Sequence, residues 1–83
     1  MTRISALLQT MRANPAGVRF TDLSKVCVHF FGDPRQTGTS HQVFTMPWAG
    51  DPRVNIQNVR GMAKPYQVRQ VLAAIAKMEE ERR

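Results

Sequence analysis

The apolar residues of this chain change period twice, and that limits its fold more than any other feature. Ile4, Leu7, Leu8 and Met11 recur at the i, i+3, i+4, i+7 spacing of one helical face. Leu23, Val26, Cys27 and Phe30 repeat the spacing, with Phe31 at the edge of the stripe. The middle of the chain drops to a period of two. Residues 40–46 carry β-branched and aromatic side chains, and in 53–57 Val54 and Ile56 alternate with Arg53, Asn55 and Gln57. Helical spacing returns with Val68, Val71, Leu72, Ile75 and Met78. Elements this short cannot bury their apolar stripes alone, so the economical arrangement packs the helices on one face of a small antiparallel sheet.

Turn-forming residues set the boundaries. Thr2 can cap a first helix over 4–13, which Asn14, Pro15 and Gly17 end. Thr21 is a good N-cap for a second helix over 22–31, with Asp22 in its first turn, Gly32 as its stop and Pro34 beyond it. A short strand is expected around 35–37, then a turn or bulge at Gly38 and Thr39, a strand over 40–46, a loop from Pro47 to Pro52 and a strand over 53–57. Pro65 suits the first position of a last helix over 65–81. Glu79 falls on that helix's stripe, so packing should end near Met78 and residues 79–83 should fray. The expected fold is α+β, in the order α-α-β-β-β-α, with a three-stranded antiparallel sheet. It is one domain over 1–83: an added helix and connection at 1–19, a core at 20–78 and a charged tail at 79–83.

Charge narrows the function. Twelve Lys and Arg face six Asp and Glu, for a formal net charge of +6. Three of the acids are Glu79, Glu80 and Glu81, so residues 1–78 hold ten bases and three acids. A small basic body of this kind attracts polyanions, RNA or DNA first. Cys27 is the sole cysteine and cannot form an internal disulfide. No apolar run approaches the roughly 20 residues of a membrane span, and no N-terminal apolar stretch with a cleavage site is present. A cytoplasmic protein without a membrane partner is expected.

Few residues can carry chemistry. Cys27, His29 and His41 are too few and too separated for a zinc site, and Cys27 belongs to a packed stripe. His29 lies on the flank of a helical stripe, where surface exposure explains it. His41 follows Gly38-Thr39-Ser40 at the start of a strand, where small residues leave room for a large ligand; a merely packed or solvated ring is the alternative. Arg35, Arg53, Arg60, Lys64 and Arg69 fall at sheet ends and around the start of the last helix, where free N–H groups and the helix dipole would add to Lys64 in holding a phosphate. Trp48 either anchors its loop or stacks on a base, and Tyr66 points away from the last stripe.

The stretch Pro34-Arg35-Gln36-Thr37-Gly38-Thr39-Ser40-His41-Gln42-Val43-Phe44 resembles the Gly-x-Ser-His signature of HicA-type toxins, the small mRNA interferases of bacterial toxin–antitoxin pairs. The resemblance continues through Met46–Gln57 and Lys64–Leu72 and runs from about Phe20 to Met78. It implies a fold like a double-stranded RNA-binding domain, ribonuclease activity dependent on His41, mRNA as substrate and a cognate HicB-type antitoxin as partner. The free protein is expected to be a monomer. Many members of that family carry a second histidine where this chain has Gln42, and a Pro and a His where it reads Asn55-Ile56-Gln57-Asn58.

Cleavage of RNA needs a base for the 2′-hydroxyl, an acid for the leaving oxygen and cations at the phosphate. An imidazole titrates at about pH 6.5 and serves either proton role. His41 is therefore the expected catalytic residue, without metal or cofactor. Arg35, Ser40, Arg53, Arg60, Lys64 and Arg69 are the expected RNA-binding set, with Arg35 and Lys64 stabilising the phosphate. One histidine cannot be base and acid in a single step, so a lysine or water must supply the second role. The alternatives are a non-catalytic RNA- or DNA-binding module, and a protein–protein module with a basic face.

Overall fold

In the computed structural model, which describes residues 4–38, 40–46 and 53–81, three helices and a small antiparallel sheet follow one another in the expected order. Helix α1 spans Ile4–Ala13, α2 Phe20–Phe31 and α3 Pro65–Glu81. Strands β1 (Gln36–Thr37), β2 (His41–Thr45) and β3 (Arg53–Val59) are the three read from the sequence. A two-residue β4 (Met62–Ala63) extends the sheet, which runs β1-β2-β3-β4.

Alternation along the strands decides which face is covered. Phe44 pairs with Val54 and Gln42 with Ile56, and Phe44, Val54 and Ile56 are buried. They meet Leu23, Val26 and Cys27 of α2 and Val68, Val71 and Ile75 of α3 in one core. Helices α2 and α3 lie on the sheet, and α1 packs onto them through Leu8 and Met11. Gln42 is half-buried on this same face and accepts a hydrogen bond from the Ser24 hydroxyl at 2.7 Å, which ties β2 to α2. The interior disfavours a thiolate: burial pushes the Cys27 thiol up from 9.0 to about 12, consistent with a packing role.

Two boundaries differ from the expectation by two residues each, the start of α2 and the end of β3. Helix α2 begins at Phe20, and Thr21 lies inside its first turn rather than capping it. Arg19 takes the cap position with extended backbone and no side-chain cap bond. The reason is β4: Arg19 bridges Met62, the Phe20 N–H donates to the Gly61 carbonyl, and the Ala63 N–H donates to the Val18 carbonyl. Sheet pairing holds Arg19 extended until the helix starts. Strand β3 also runs two residues past Gln57, because a tight turn brings the chain straight back. Arg60 (φ 55°) and Gly61 (φ 87°) are both left-handed, as a two-residue hairpin loop requires. The Asn58 side chain braces the turn by accepting from the Gly61 N–H at 2.6 Å. A short 3-10 turn at Pro15–Gly17, also unforeseen, links α1 to Val18. Helix α3 has the bounds expected for it, and Met78, expected in its buried stripe, is half-buried. Thr2, Thr39, Trp48 with the Pro47–Pro52 loop, and Arg83 lie outside the described residues.

Among the described residues, Phe44 is the largest fully buried side chain, and it belongs to the core shared by α2, α3 and the sheet. Phe44→Ala should cost about 3–5 kcal/mol of unfolding free energy, read from a denaturant titration. A loss below about 1 kcal/mol would show that the core does not close on this ring.

Candidate active site

Local geometry puts His41 at an open position. Strands β1 and β2 form a hairpin closed by the Gly38 N–H, which donates to the His41 carbonyl at 2.8 Å. His41 is the first residue of β2 and lies directly opposite Gln57 on β3. The neighbouring Asn58 N–H donates to the Ser40 carbonyl at 2.7 Å. That bond makes His41 and Gln57 a non-hydrogen-bonded pair, the kind in which facing side chains come closest. Both point away from the face that carries α2 and α3, since Gln42 and Ile56 beside them point into it.

The imidazole is exposed, and its ring rests on Gly38. A methyl group at Gly38 would lie 3.2 Å from His41 Cε1 and 3.5 Å from Nδ1. A methyl there would make the exposed ring give by a few tenths of an ångström; the constraint is one of space, because Gly38 does not have a left-handed backbone. Gln42, at the place of a second histidine in the resembled family, faces α2 and cannot share the site.

On the other side of Gln57, the start of α3 closes the sheet edge. Strand β4 ends at Ala63, and the Gln57 N–H would otherwise have no strand to pair with. Gln67, which is 3 % exposed, meets that demand: its Oε1 accepts from the Gln57 N–H at 2.7 Å. Its Nε2 donates to the Gln57 side-chain carbonyl at 3.1 Å and to the Tyr66 hydroxyl at 3.3 Å. The Lys64 ammonium lies 6.0 Å from the Tyr66 ring centroid, at the outer range of a cation–π contact. His41, Gln57, Gln67, Tyr66 and Lys64 are thus linked in sequence across one end of the sheet.

The other expected RNA-binding residues are less concentrated. Arg53 faces Thr45 at the far end of the ladder, four residues from the His41 pair, or about 13 Å along the strand. Arg35 lies beside the middle of β2, with its N–H donating to the Val43 carbonyl. Arg60 is exposed at the β3–β4 turn, and Arg69 is exposed on α3, three residues after Tyr66. The helix start offers fewer N–H groups than expected. Pro65 has none, and the N–H groups of Gln67 and Val68 both donate to the Lys64 carbonyl. His29 is exposed and meets Phe30 edge-on at 4.9 Å. No cluster of metal-ligating side chains occurs among the described residues.

Gln57 and Gln67 were missed by the sequence reading. One signal was available: Gln67 lies four residues before Val71, on the line of the buried stripe, where a polar side chain needs a specific partner. Comparisons with family models, with curated proteins and with solved structures find no match to this chain.

Gly38→Ala tests the seat of the imidazole. The added methyl must move the ring, so the His41 imidazole signals in a heteronuclear NMR spectrum should shift, with stability kept within about 1 kcal/mol because the ring is exposed. Unchanged His41 signals would show that the ring does not rest on this glycine.

Proposed function

We propose that the protein is an endoribonuclease that cleaves mRNA with His41 and acts as the toxin of a cytoplasmic bacterial toxin–antitoxin pair, neutralised by a HicB-type antitoxin. The observation that carries this reading is the exposed His41 imidazole, lying against Gly38 at the start of β2 on the sheet face opposite α2 and α3, in a chain with net charge +6. A histidine kept for packing would be covered.

In this mechanism His41 takes the proton of a ribose 2′-hydroxyl, and the resulting oxygen attacks the adjacent phosphorus. The P–O5′ bond breaks, leaving a 2′,3′-cyclic phosphate on one fragment and a 5′-hydroxyl on the other once the leaving oxygen is protonated by a lysine or water. Lys64 is the cation that the described contacts link to the His41 end of the sheet. Arg35 lies on the β1 side of β2, beside Val43, and is assigned to the same phosphate. Ser40 acts through its backbone, holding the turn before His41 against β3. Arg53, Arg60 and Arg69 are spread along the sheet and α3, which suits tracking of a strand's phosphates rather than chemistry at one of them. The relation to double-stranded RNA-binding domains belongs to this proposal; the observed order of helices and strands is compatible with it.

His41→Ala should abolish RNA cleavage and growth arrest while the circular dichroism spectrum stays native. A folded His41→Ala protein with full toxicity would remove the assignment. Binding of RNA by the inactive variant should weaken steeply between about 50 and 200 mM salt through counterion release, and a flat response would argue against phosphate contacts by the basic set.

A further inference from the structure

The hydrogen-bond network around Gln67 has only one consistent assignment of donors and acceptors, and that assignment fixes what the surface beside His41 offers a ligand. The Gln57 backbone N–H can only donate, so the atom of Gln67 that meets it at 2.7 Å must be Oε1. The other end of the Gln67 amide is then Nε2, which can only donate. It faces Gln57 at 3.1 Å and Tyr66 at 3.3 Å, so both must accept: Gln57 with its side-chain carbonyl, Tyr66 with its hydroxyl oxygen. Gln67 is buried and held at both ends, so this choice cannot be reversed by a flip of either outer side chain.

The consequence lies on the outside. With its carbonyl engaged inward, Gln57 turns its NH2 group outward. With its oxygen accepting, the Tyr66 hydroxyl keeps its proton for a ligand, and Tyr66 is 51 % exposed. Neither the Gln57 NH2 group nor the Tyr66 hydroxyl proton has an acceptor among the described residues. A single buried amide therefore biases two neighbouring surface groups towards donation. Gln57 lies next to His41, since it is its cross-strand partner and strands are spaced by about 4.8 Å, and the Tyr66 hydroxyl shares the Gln67 Nε2 donor with Gln57. Lys64, close to the Tyr66 ring, adds a positive charge to the same side.

We propose that Gln57 and Tyr66 form a subsite for the ribose-phosphate oxygens of the nucleotide adjoining the one that meets His41, with Gln67 as the residue that positions them. The inference rests on the ribonuclease reading and deepens it. Its ligand is an acceptor-rich backbone rather than a base edge, because every outward group it uses is a donor. Tyr66 and Gln57 bind and orient the strand; the proton transfers remain with His41 and its partner.

The test measures the affinity of a short single-stranded RNA for the His41→Ala protein, which leaves the strand intact, alone and with a second substitution. Tyr66→Phe removes only the hydroxyl and should weaken binding about tenfold, the loss expected for a hydrogen bond to a charged group. Gln57→Glu keeps the carbonyl oxygen that Gln67 needs and replaces the outward donor with an acceptor, so it should weaken binding by at least as much. Asn55→Asp places the same added charge two residues away on the same strand face, and should change affinity less than threefold. Protection of the Gln57 N–H from hydrogen exchange should persist in both site variants, which separates loss of the donor from loss of the network. Full affinity in Tyr66→Phe and Gln57→Glu, with RNA still bound by the parent, would overturn the subsite and leave the nuclease reading standing. An equal loss in Asn55→Asp would also overturn it, by reducing the effect to charge. Failure of the His41→Ala parent to bind RNA at low salt would overturn the nucleic-acid reading and the subsite together.

Discussion

A sheet edge must pair its N–H groups or expose them, and in this protein that demand fixes the position of the candidate site. Strand β4 is two residues long, so β3 loses its neighbour at Gln57. The chain supplies a buried glutamine from the first turn of α3 in place of a strand. An unpaired buried amide costs about 1–3 kcal/mol, so the bond from Gln57 to Gln67 aligns helix and sheet as well as closing the edge. Because α3 must present Gln67 at this point, Tyr66 and Lys64 are brought to the same end of the sheet as His41. The core does the rest: Val68, Val71 and Ile75 bind the helix to the covered face, and His41 is exposed on the other.

The hairpin on the other side of β2 works by space rather than by bonding. Gly38 closes the turn through its N–H and leaves its Cβ position empty, and the His41 ring occupies the clearance. The ring is exposed and lies against this glycine, which leaves it accessible to a ligand. Ser40 contributes through its carbonyl, which places the Asn58 N–H and thereby the close pairing of His41 with Gln57. Basic charge then has a secondary role. It is spread over residues up to about 13 Å from His41 along the sheet, as suits attraction and alignment of a long polyanion.

Periodicity made most of the architecture legible in advance. Stripes such as Leu23–Val26–Cys27 and Val68–Val71–Ile75 are long enough to declare a helical face, and Val54 and Ile56 declare a strand. What could not be read depended on pairing between distant segments. Met62–Ala63 is too short to show a period, and it is a strand because Val18–Arg19 and Asn58–Val59 lie on its two sides. The same pairing displaced the start of α2 from Thr21, a residue with better capping chemistry than Arg19. At the candidate site, the open position of His41 was legible because small residues precede it, whereas Gln57 looked like an ordinary outward strand residue. Its importance comes from its cross-strand partner and from Gln67, ten residues further on, and neither relation is written in local spacing.

The central claim is that His41 removes the proton of a ribose 2′-hydroxyl. It is tested most directly by digesting two oligonucleotides of the same sequence with the purified protein, one all RNA and one with a single 2′-deoxy nucleotide on the 5′ side of the cleaved bond, and analysing product ends by mass spectrometry. The account predicts a 2′,3′-cyclic phosphate on fragments of the first and no cleavage of the second at that bond. Equal cleavage of both would contradict it.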